Sequence, residues 1–282
     1  MKIKTVILII GLISGSVIHS WSQKGLEVGG WLGTAFYHGD LNTSLKIGKP
    51  GLSGGFLARY NFNHRIAFKT SLNFGRVGAD DADSDNNWER NRNLSFRSNI
   101  LDITNVLEFN FFHYEHGHLT FNKTPYIFGG FNFVKYNPTA ELNGQRYNLR
   151  EYGTEGQAPG SEYGLFNIGL VLGGGFKFDI NKSSSINIEI GARFLFTDYL
   201  DDVSTVFPEK SELLGTRGQI GVALSDRSLA DGLGDAGRQR GDSKGNDKYT
   251  FVGISFVRYF GGITCPDISR IRSAQFLNHD NL

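Results

Sequence analysis

The 282-residue chain carries a net charge of +1, which gives no electrostatic basis for nucleic-acid binding. Its single cysteine excludes an internal disulfide framework. The 37 glycines, 23 phenylalanines and 11 tyrosines are typical of many β-strands in a membrane barrel, where aromatic side chains face lipid and glycines allow close packing.

The first 22 residues predict a secretory signal peptide. Lys2 and Lys4 precede an apolar run from Val6 to Ile18, and Ser20–Ser22 offers small residues for cleavage before Gln23. The alternative is a retained membrane anchor, but the apolar run is short for a bilayer span and no second run follows it. We therefore expect export of the chain and removal of residues 1–22.

A two-residue alternation of apolar and polar side chains dominates the rest of the chain. It predicts an all-β fold, an eight-stranded antiparallel transmembrane β-barrel over residues 23–260. The faces of the fifth and eighth strands stay ambiguous, and the fifth is aromatic on both. The predicted strands cover residues 25–38, 52–62, 65–75, 95–112, 125–136, 165–180, 185–197 and 248–260.

Short and long connections alternate along the chain. Residues 61–64, 114–124 and 181–184 form short or moderate links, whereas residues 39–49, 76–94, 137–164 and 199–247 form long ones. Outer-membrane barrels have short periplasmic turns and long extracellular loops, whereas a soluble β-sandwich has no reason to sort its loops in this way. Residues 261–282 are then expected to form a periplasmic C-terminal tail.

Charged residues in the middle of the strands predict which face lines the lumen. They share one parity in the six clear strands, and a Lys or Arg on the lipid face would cost about 2–4 kcal/mol at the bilayer midplane. A soluble lipocalin-like barrel fits the same periodicity but would place these charges outside. Eight strands leave room only for side chains, which argues against a diffusion pore. The expected ion-pair network of the lumen consists of Arg59, Lys69, Asp102, Glu108, Glu189 and Arg193.

An acidic segment partly matches a calcium-binding loop. Asp81, Asp83 and Asp85 occupy the first three ligand positions, but Asn86 stands where the loop needs Gly and Arg92 where it needs Glu. We therefore interpret the segment as a solvated acidic loop.

Histidines give weaker signals. We interpret the three in the predicted 114–124 turn region as surface polar residues, because no cysteine joins them. His38, with Asp40 and Ser44 nearby, is the candidate for a Ser–His hydrolase, but proximity in sequence does not make a triad. We expect no catalytic residue, no metal and no cofactor. The three clustered histidines are His113, His116 and His118.

Three further stretches have structural explanations. Tyr199 follows the seventh strand and is expected to join an aromatic girdle at the membrane surface. The stretch from Leu229 to Asn246 is rich in Gly, Asp and Arg and predicts a mobile extracellular loop. Gly173–Gly175 in mid-strand indicates curvature or close packing rather than phosphate binding.

Cys265 lies just past the last predicted strand, in the expected periplasm. That compartment is oxidising, so a lone cysteine there indicates either an intermolecular disulfide or a free thiol. The alternative is a small buried residue at the base of the barrel.

Several segments together resemble the PorG-like outer-membrane barrels of Bacteroidota. The Gly-Thr-Glu-Gly-Gln stretch and the Tyr-Leu-Asp-Asp-Val stretch are the most specific of them. The segments are residues 30–33 and 37–41, Arg59-Tyr60, residues 126–130 and 136–138, residues 149–152, Gly153–Gln157 and Thr197–Ser204.

The resemblance implies a non-enzymatic subunit of the type IX protein secretion system, which also supports gliding motility in some species. It implies as partners the lipid bilayer, lipoproteins and the periplasmic ring proteins of the PorK and PorN type. The alternative is a stand-alone surface barrel whose extracellular loops bind ligands or neighbouring cells, with an outer-membrane lipid enzyme as a more distant possibility.

Overall fold

The computed structural model describes residues 25–43 and 49–261. The predicted signal peptide, Ser44 and Cys265 lie outside them. The strands are β1 (Gly25–His38), β2 (Gly51–Asn61), β3 (Ile66–Asp80), β4 (Ser95–Asn110), β5 (Lys123–Leu142), β6 (Gln145–Asn148), β7 (Phe166–Asn181), β8 (Ser184–Leu195) and β9 (Lys248–Gly261). The helices are α1 (Asn87–Arg92) and α2 (Lys210–Ser225), and α2 is broken at Gly218, where φ is +72°.

Eight strands close into an antiparallel barrel, which confirms the predicted fold. The strand order is β4-β3-β2-β1-β9-β8-β7-β5, and β5 pairs back onto β4. The first and last strands are fully paired, from Gly25 opposite Gly261 to His38 opposite Lys248. Closure leaves the barrel without a sheet edge, as lipid requires, because no water is available there for unpaired backbone groups.

The exterior of the barrel is predominantly apolar on every strand, and its exposed charged side chains lie near the two ends of the barrel. The outward-facing side chains are large and solvent-accessible, and the ambiguous strands follow the same rule, with Tyr126 and Phe128 of β5 inside and Phe131 outside. A soluble barrel would place its charged side chains outward, so that alternative is wrong. Representative exposed side chains are Leu32, Phe56, Phe74, Ile103, Phe131, Leu172, Ile190 and Phe256.

The two ends of the barrel differ. One end carries the short links of residues 62–65, 111–122 and 182–183. The start of β1 and the end of β9 lie at the same end. The other carries the long connections, α1, α2 and the β5–β6 hairpin. Short turns are periplasmic and long loops extracellular in outer-membrane barrels, so the chain is an outer-membrane barrel with its long loops outside.

Two connections contain more regular structure than the periodicity predicts. Strand β5 continues to Leu142 and forms a hairpin with β6 through Asn143 and Gly144, whose φ angles are +53° and +77°. The connection between β8 and β9 contains α2. Within the described ranges, no helix is long and apolar enough to cross a membrane.

Candidate functional site

Glu108 lies at the centre of a charged network inside the barrel. Its Oε2 lies 2.8 Å from the Arg59 Nε and 2.7 Å from the Lys177 Nζ, and its Oε1 lies 3.2 Å from the Lys69 Nζ. These side chains come from four different strands and are at most 4% exposed. Breaking a buried pair is costly because the remaining charge is uncompensated, so the network depends on all its members.

The network continues in both directions from Glu108. Towards the periplasm, Arg59 also pairs with Glu27 at 2.5 Å, and towards the middle of the barrel Lys69 pairs with Glu189. Further towards the outside, Asp102 accepts from the Tyr249 hydroxyl at 2.5 Å.

All six residues predicted for the lumen lie in this interior. Four of them join in one chain of ion pairs, whereas Asp102 and Arg193 form a separate pair at 3.7 Å. Glu27 and Lys177 belong to the network but were not predicted, although their position on the polar parity of β1 and β7 could have identified them. The six are Arg59, Lys69, Asp102, Glu108, Glu189 and Arg193. The predicted members therefore lie together in the interior, but the prediction omitted two of their partners, Glu27 and Lys177.

Side chains fill the space between these charges. The cavity lined by Trp31, Lys69 and Phe128 has a volume of about 30 Å³, which leaves room for no more than a few water molecules. Phe128 reaches this position because Gly173 faces it: a Cβ on Gly173 would lie 2.2 Å from the Phe128 Cζ. The Gly173–Gly175 run therefore serves close packing, with the aromatic rings of β5 in the space that these glycines leave.

His116 closes the periplasmic end of the barrel. Its Nε2 lies 3.1 Å from the Glu27 Oε1 and its Nδ1 lies 3.0 Å from the Asp179 Oδ1. Burial alone would lower its pKa, but the hydrogen bonds to Asp179 and Glu27 raise the pKa of His116 to about 9. The interpretation of this histidine as a surface residue is wrong, because the 111–122 turn folds inward and inserts the ring into the barrel.

The other two histidines of the turn have different surroundings. His113 stacks on His64 of the neighbouring turn, with ring centroids 3.8 Å apart, and lies beside Glu115. His118 stays at the surface, where its Nδ1 accepts from the backbone N–H groups of Thr120 and Phe121.

The extracellular loops fold into a cap over the barrel mouth, and the two most specific segments of the sequence meet at its centre. Asp202, in the left-handed region at φ +72°, accepts from the Thr154 hydroxyl at 2.5 Å and the Tyr163 hydroxyl at 2.6 Å. Glu155 accepts from the backbone N–H groups of Ser204 and Thr205 at 2.8 and 3.0 Å. These contacts join loops that are almost 50 residues apart.

Two buried arginines fasten the cap. Arg240 lies 3.1 Å from Glu155 and donates to the Asp202 carbonyl at 2.5 Å, so the expectation of a mobile loop over Leu229–Asn246 is wrong at this point. Arg92 binds both carboxylate oxygens of Asp81 at 2.7 Å and donates to the Arg240 carbonyl at 2.5 Å. Arg92 therefore binds the Asp81 carboxylate that a calcium ion would need as a ligand. Asp81 is buried rather than solvated.

Carboxylates outnumber these arginines. The Tyr37 hydroxyl lies 2.6 Å from Asp201 and 3.0 Å from Asp247. Burial raises the pKa of Asp247 to about 8, with the Asp40 charge adding to the shift, and burial raises the pKa of Asp198 to about 8 as well. One hydroxyl has one proton to donate, so the second of its carboxyl contacts is satisfied when Asp201 or Asp247 is protonated.

Tyr199 and Asp40 have different neighbours from those that the sequence predicts. Tyr199 stacks on Tyr163 with ring centroids 4.5 Å apart and an interplanar angle of 8°, so it belongs to the cap and not to a lipid-facing girdle. The Asp40 Oδ2 accepts from the Asp242 N–H at 2.9 Å, and no hydrogen bond joins it to His38 among the described residues. The hydrolase candidate therefore lacks its base–acid contact, and its Ser44 is outside those residues.

The family comparison covers most of the chain. A family model described as "Domain of unknown function (DUF6089)" matches residues 3–217. No curated relative matches the chain.

Several solved outer-membrane proteins are similar to the chain at low identity. They include OprG of Pseudomonas aeruginosa (10% identity, TM-score 0.44, 86% of this chain and 98% of that one) and Neisserial surface protein A (10% identity, TM-score 0.40, 83% and 97%). The attachment invasion locus protein Ail of Yersinia pestis is a third (11% identity, TM-score 0.40, 85% and 99%). The barrel topology described above rests on the strand pairing of this chain itself.

Proposed function

The chain belongs to the DUF6089 family, and from that premise we propose that it is a non-enzymatic outer-membrane subunit of the type IX protein secretion machinery. In this role it anchors the periplasmic ring to the outer membrane. The observation that carries the proposal is the filled lumen: a barrel with an ion-paired interior and a small cavity acts through its surfaces rather than as a passage.

The periplasmic surface offers a defined platform for a ring protein. The 111–122 turn is held in place by His116, by the Tyr114 hydroxyl, which donates to Asp179 at 2.6 Å, and by the Glu115 N–H, which donates to the Phe121 carbonyl at 2.9 Å. Fixed turns lower the ordering cost of binding a partner. The resemblance to PorG-like barrels supplies the identity of that partner, a ring of the PorK and PorN type with its lipoprotein.

A pull-down from native outer membranes tests the proposal. An epitope tag inserted at the exposed hairpin turn between Asn143 and Gly144 leaves the periplasmic face free. Mass spectrometry should then find periplasmic ring proteins and a lipoprotein enriched over an untagged strain. A matched variant with a Gly-Ser linker in place of residues 117–121 should insert normally and lose this enrichment.

A chromosomal deletion gives the second arm of the test. Loss of the chain should reduce secretion of type IX cargo, and expression of the wild type should restore it. Normal secretion together with no ring protein in the pull-down would overturn the proposal.

The ordered extracellular cap favours the alternative of a surface barrel that binds ligands or neighbouring cells. Buried Arg92 and Arg240 hold the loops in one arrangement, as a recognition surface would require. Under this alternative, the deletion strain would secrete normally but lose adhesion, and replacement of the cap would reproduce that loss.

We also propose that Cys265 forms a disulfide with a ring protein or lipoprotein. Non-reducing electrophoresis of native membranes should show a high-mass species that disappears with reductant and is absent from Cys265→Ser. A wild-type chain that migrates as a monomer without reductant would contradict the covalent link and leave the non-covalent anchor to the pull-down.

A further inference from the structure

Two neighbouring periplasmic turns bring together three side chains that can bind metal. His64 lies in the turn between β2 and β3, and His113 and Glu115 lie in the turn between β4 and β5. One ligand atom from each lies within 4.8 Å of the others. The two imidazoles stack with centroids 3.8 Å apart, and the His113 Nε2 lies 3.5 Å from the Glu115 Oε2.

Hydrogen bonds hold the two turns in this arrangement. Asn63 fixes the first turn, since its Oδ1 accepts from the N–H groups of Arg65 and Ile66 at 2.8 and 2.9 Å. The Arg65 guanidinium then donates to the Phe111 carbonyl at 2.6 Å. Strand β4 is also joined to the first turn, through a 3.2 Å hydrogen bond from the Asn110 side chain to the His64 carbonyl. The ligands are therefore carried on a preorganised base.

The polar atoms of the cluster have spare capacity for a ligand. The His64 ring has a hydrogen bond to the Tyr114 backbone, but its Nδ1 is buried without a geometrically satisfied partner among the described residues. Buried polar atoms normally have a partner, so this atom calls for an explanation. The 3.5 Å contact between His113 and Glu115 is long for a hydrogen bond, which leaves both of these groups available as well.

We propose that His64, His113 and Glu115 form a binding site for a divalent transition-metal ion, with Zn²⁺ as the best match. Imidazole nitrogens and a carboxylate oxygen suit Zn²⁺, whereas Ca²⁺ and Mg²⁺ prefer sites made of oxygen. Bonds of about 2.0–2.2 Å would draw the ligand atoms to within about 3.5 Å of one another, and the stacked rings would have to rotate until both directed a nitrogen at the ion. The ion would clamp the two turns together and keep a fourth coordination position open to water.

Metal binding to the purified mature barrel in detergent tests this proposal independently of any secretion role. The protein carries Cys265→Ser, because a thiolate would bind Zn²⁺ elsewhere, and an affinity tag without histidines. Equilibrium dialysis and isothermal titration with Zn²⁺ should give one saturable ion per chain. Co²⁺ should give visible absorption bands of a four-coordinate site that Zn²⁺ displaces.

Three variants separate this site from adventitious binding. His64→Ala and Glu115→Gln should each weaken Zn²⁺ binding by at least about tenfold, while heat-modifiable migration shows that the barrel stays folded. His118→Asn is the matched control, because it changes a histidine of the same turn outside the cluster and keeps a hydrogen-bond acceptor; it should leave the affinity unchanged. Absence of saturable binding, or equal weakening in His64→Ala and His118→Asn, would overturn the proposal.

Discussion

The barrel interior and the extracellular cap both bury carboxylates, but they neutralise them in different ways. The interior matches its anions Glu27, Asp102, Glu108 and Glu189 with the cations Arg59, Lys69, Lys177 and Arg193. The cap sets Asp40, Asp81, Glu155, Asp198, Asp201, Asp202 and Asp247 against Arg92 and Arg240. The interior thus relies on opposite charges, whereas part of the cap relies on bound protons, and the two should respond differently to mutation and to pH.

Glu108→Gln should break the interior most severely. The variant leaves Arg59, Lys69 and Lys177 clustered without their shared anion, so we expect a loss of about 3–5 kcal/mol in the free energy of unfolding. Urea unfolding of the refolded barrel in detergent, followed by heat-modifiable migration, measures this loss. Glu141→Gln is the control, because this carboxylate is exposed and its pair with Arg146 is worth at most about 1 kcal/mol. A loss no larger than that of the control would refute the account of the interior.

The exterior sharpens the comparison, because its exposed charges, such as Arg97 and Arg258, lie near the strand ends and not at mid-strand. Ile188→Arg on the lipid face should cost about 2–4 kcal/mol and reduce the fraction of chain assembled in the outer membrane. Ile188→Leu should assemble normally, and Glu189→Gln, one residue away in the lumen, should be impaired less than Ile188→Arg. Comparable assembly of Ile188→Arg and Glu189→Gln would contradict the assignment of the faces.

Arg240→Met should open the cap and leave the barrel intact. The variant removes charge-assisted hydrogen bonds to Glu155 and to the Asp202 carbonyl, for which we expect a cost of about 1.5–3 kcal/mol. Limited proteolysis of intact cells should cleave the loop between β8 and β9 faster, while the membrane-embedded core stays protected. Arg238→Met removes an exposed guanidinium two residues away and should leave the cleavage rate unchanged; equal protection in both variants would show that Arg240 does not fasten the cap.

A rise in pH should loosen the cap gradually. The pKa of Asp247 is about 8 in the folded protein and about 3.9 in an unfolded chain, so its contribution is complete below pH 4 and is lost as the pH rises towards 8. Each titrating carboxyl changes the stability by at most about 1.4 kcal/mol per pH unit. Hydrogen exchange in residues 199–247, corrected for its intrinsic pH dependence, should show the loss.

Asp247→Asn keeps the uncharged form at every pH and should flatten the curve, while Asp242→Asn at the exposed edge of the cap should not. Since Asp40, Asp201 and the Tyr37 hydroxyl also surround Asp247, a residual slope in the Asn variant is expected from the remaining acids. Identical pH profiles for the wild type and Asp247→Asn would show that protonation of Asp247 does not stabilise the cap. The proposed difference between the cap and the ion-paired interior would then be wrong.

Strand parity made the barrel predictable from the sequence. Because alternate side chains face opposite sides, the charges at Lys69 and Glu108 identified the lumen face without any knowledge of the partners. The same rule failed in β5, where Tyr126 and Phe128 point inward. Aromatic side chains are placed there because Gly173 and Gly175 on β7 leave them space, and that complementarity appears only when the strands are paired.

The sites outside the strands could not be predicted in the same way, since loops have no period. His116 looked like a surface residue because nothing local indicates that its turn folds inward towards Glu27 and Asp179. The contact of His64 with His113 was more accessible: His64 precedes β3 and His113 follows β4, and these strands are neighbours with Ile66 opposite Phe109. The cap required pairing of segments about 50 residues apart, for which the sequence offers no local signal.

The ion-paired centre at Glu108 also limits how such a barrel can change during evolution. Glu108 joins three cations from β2, β3 and β7, so a neutral replacement of any one of the four residues leaves a buried surplus charge. Accepted changes should therefore come in compensating pairs across strands. Among related sequences, the sum of charges at these four positions should vary less than the residue at each of them, and co-substitution should link positions that are distant in sequence.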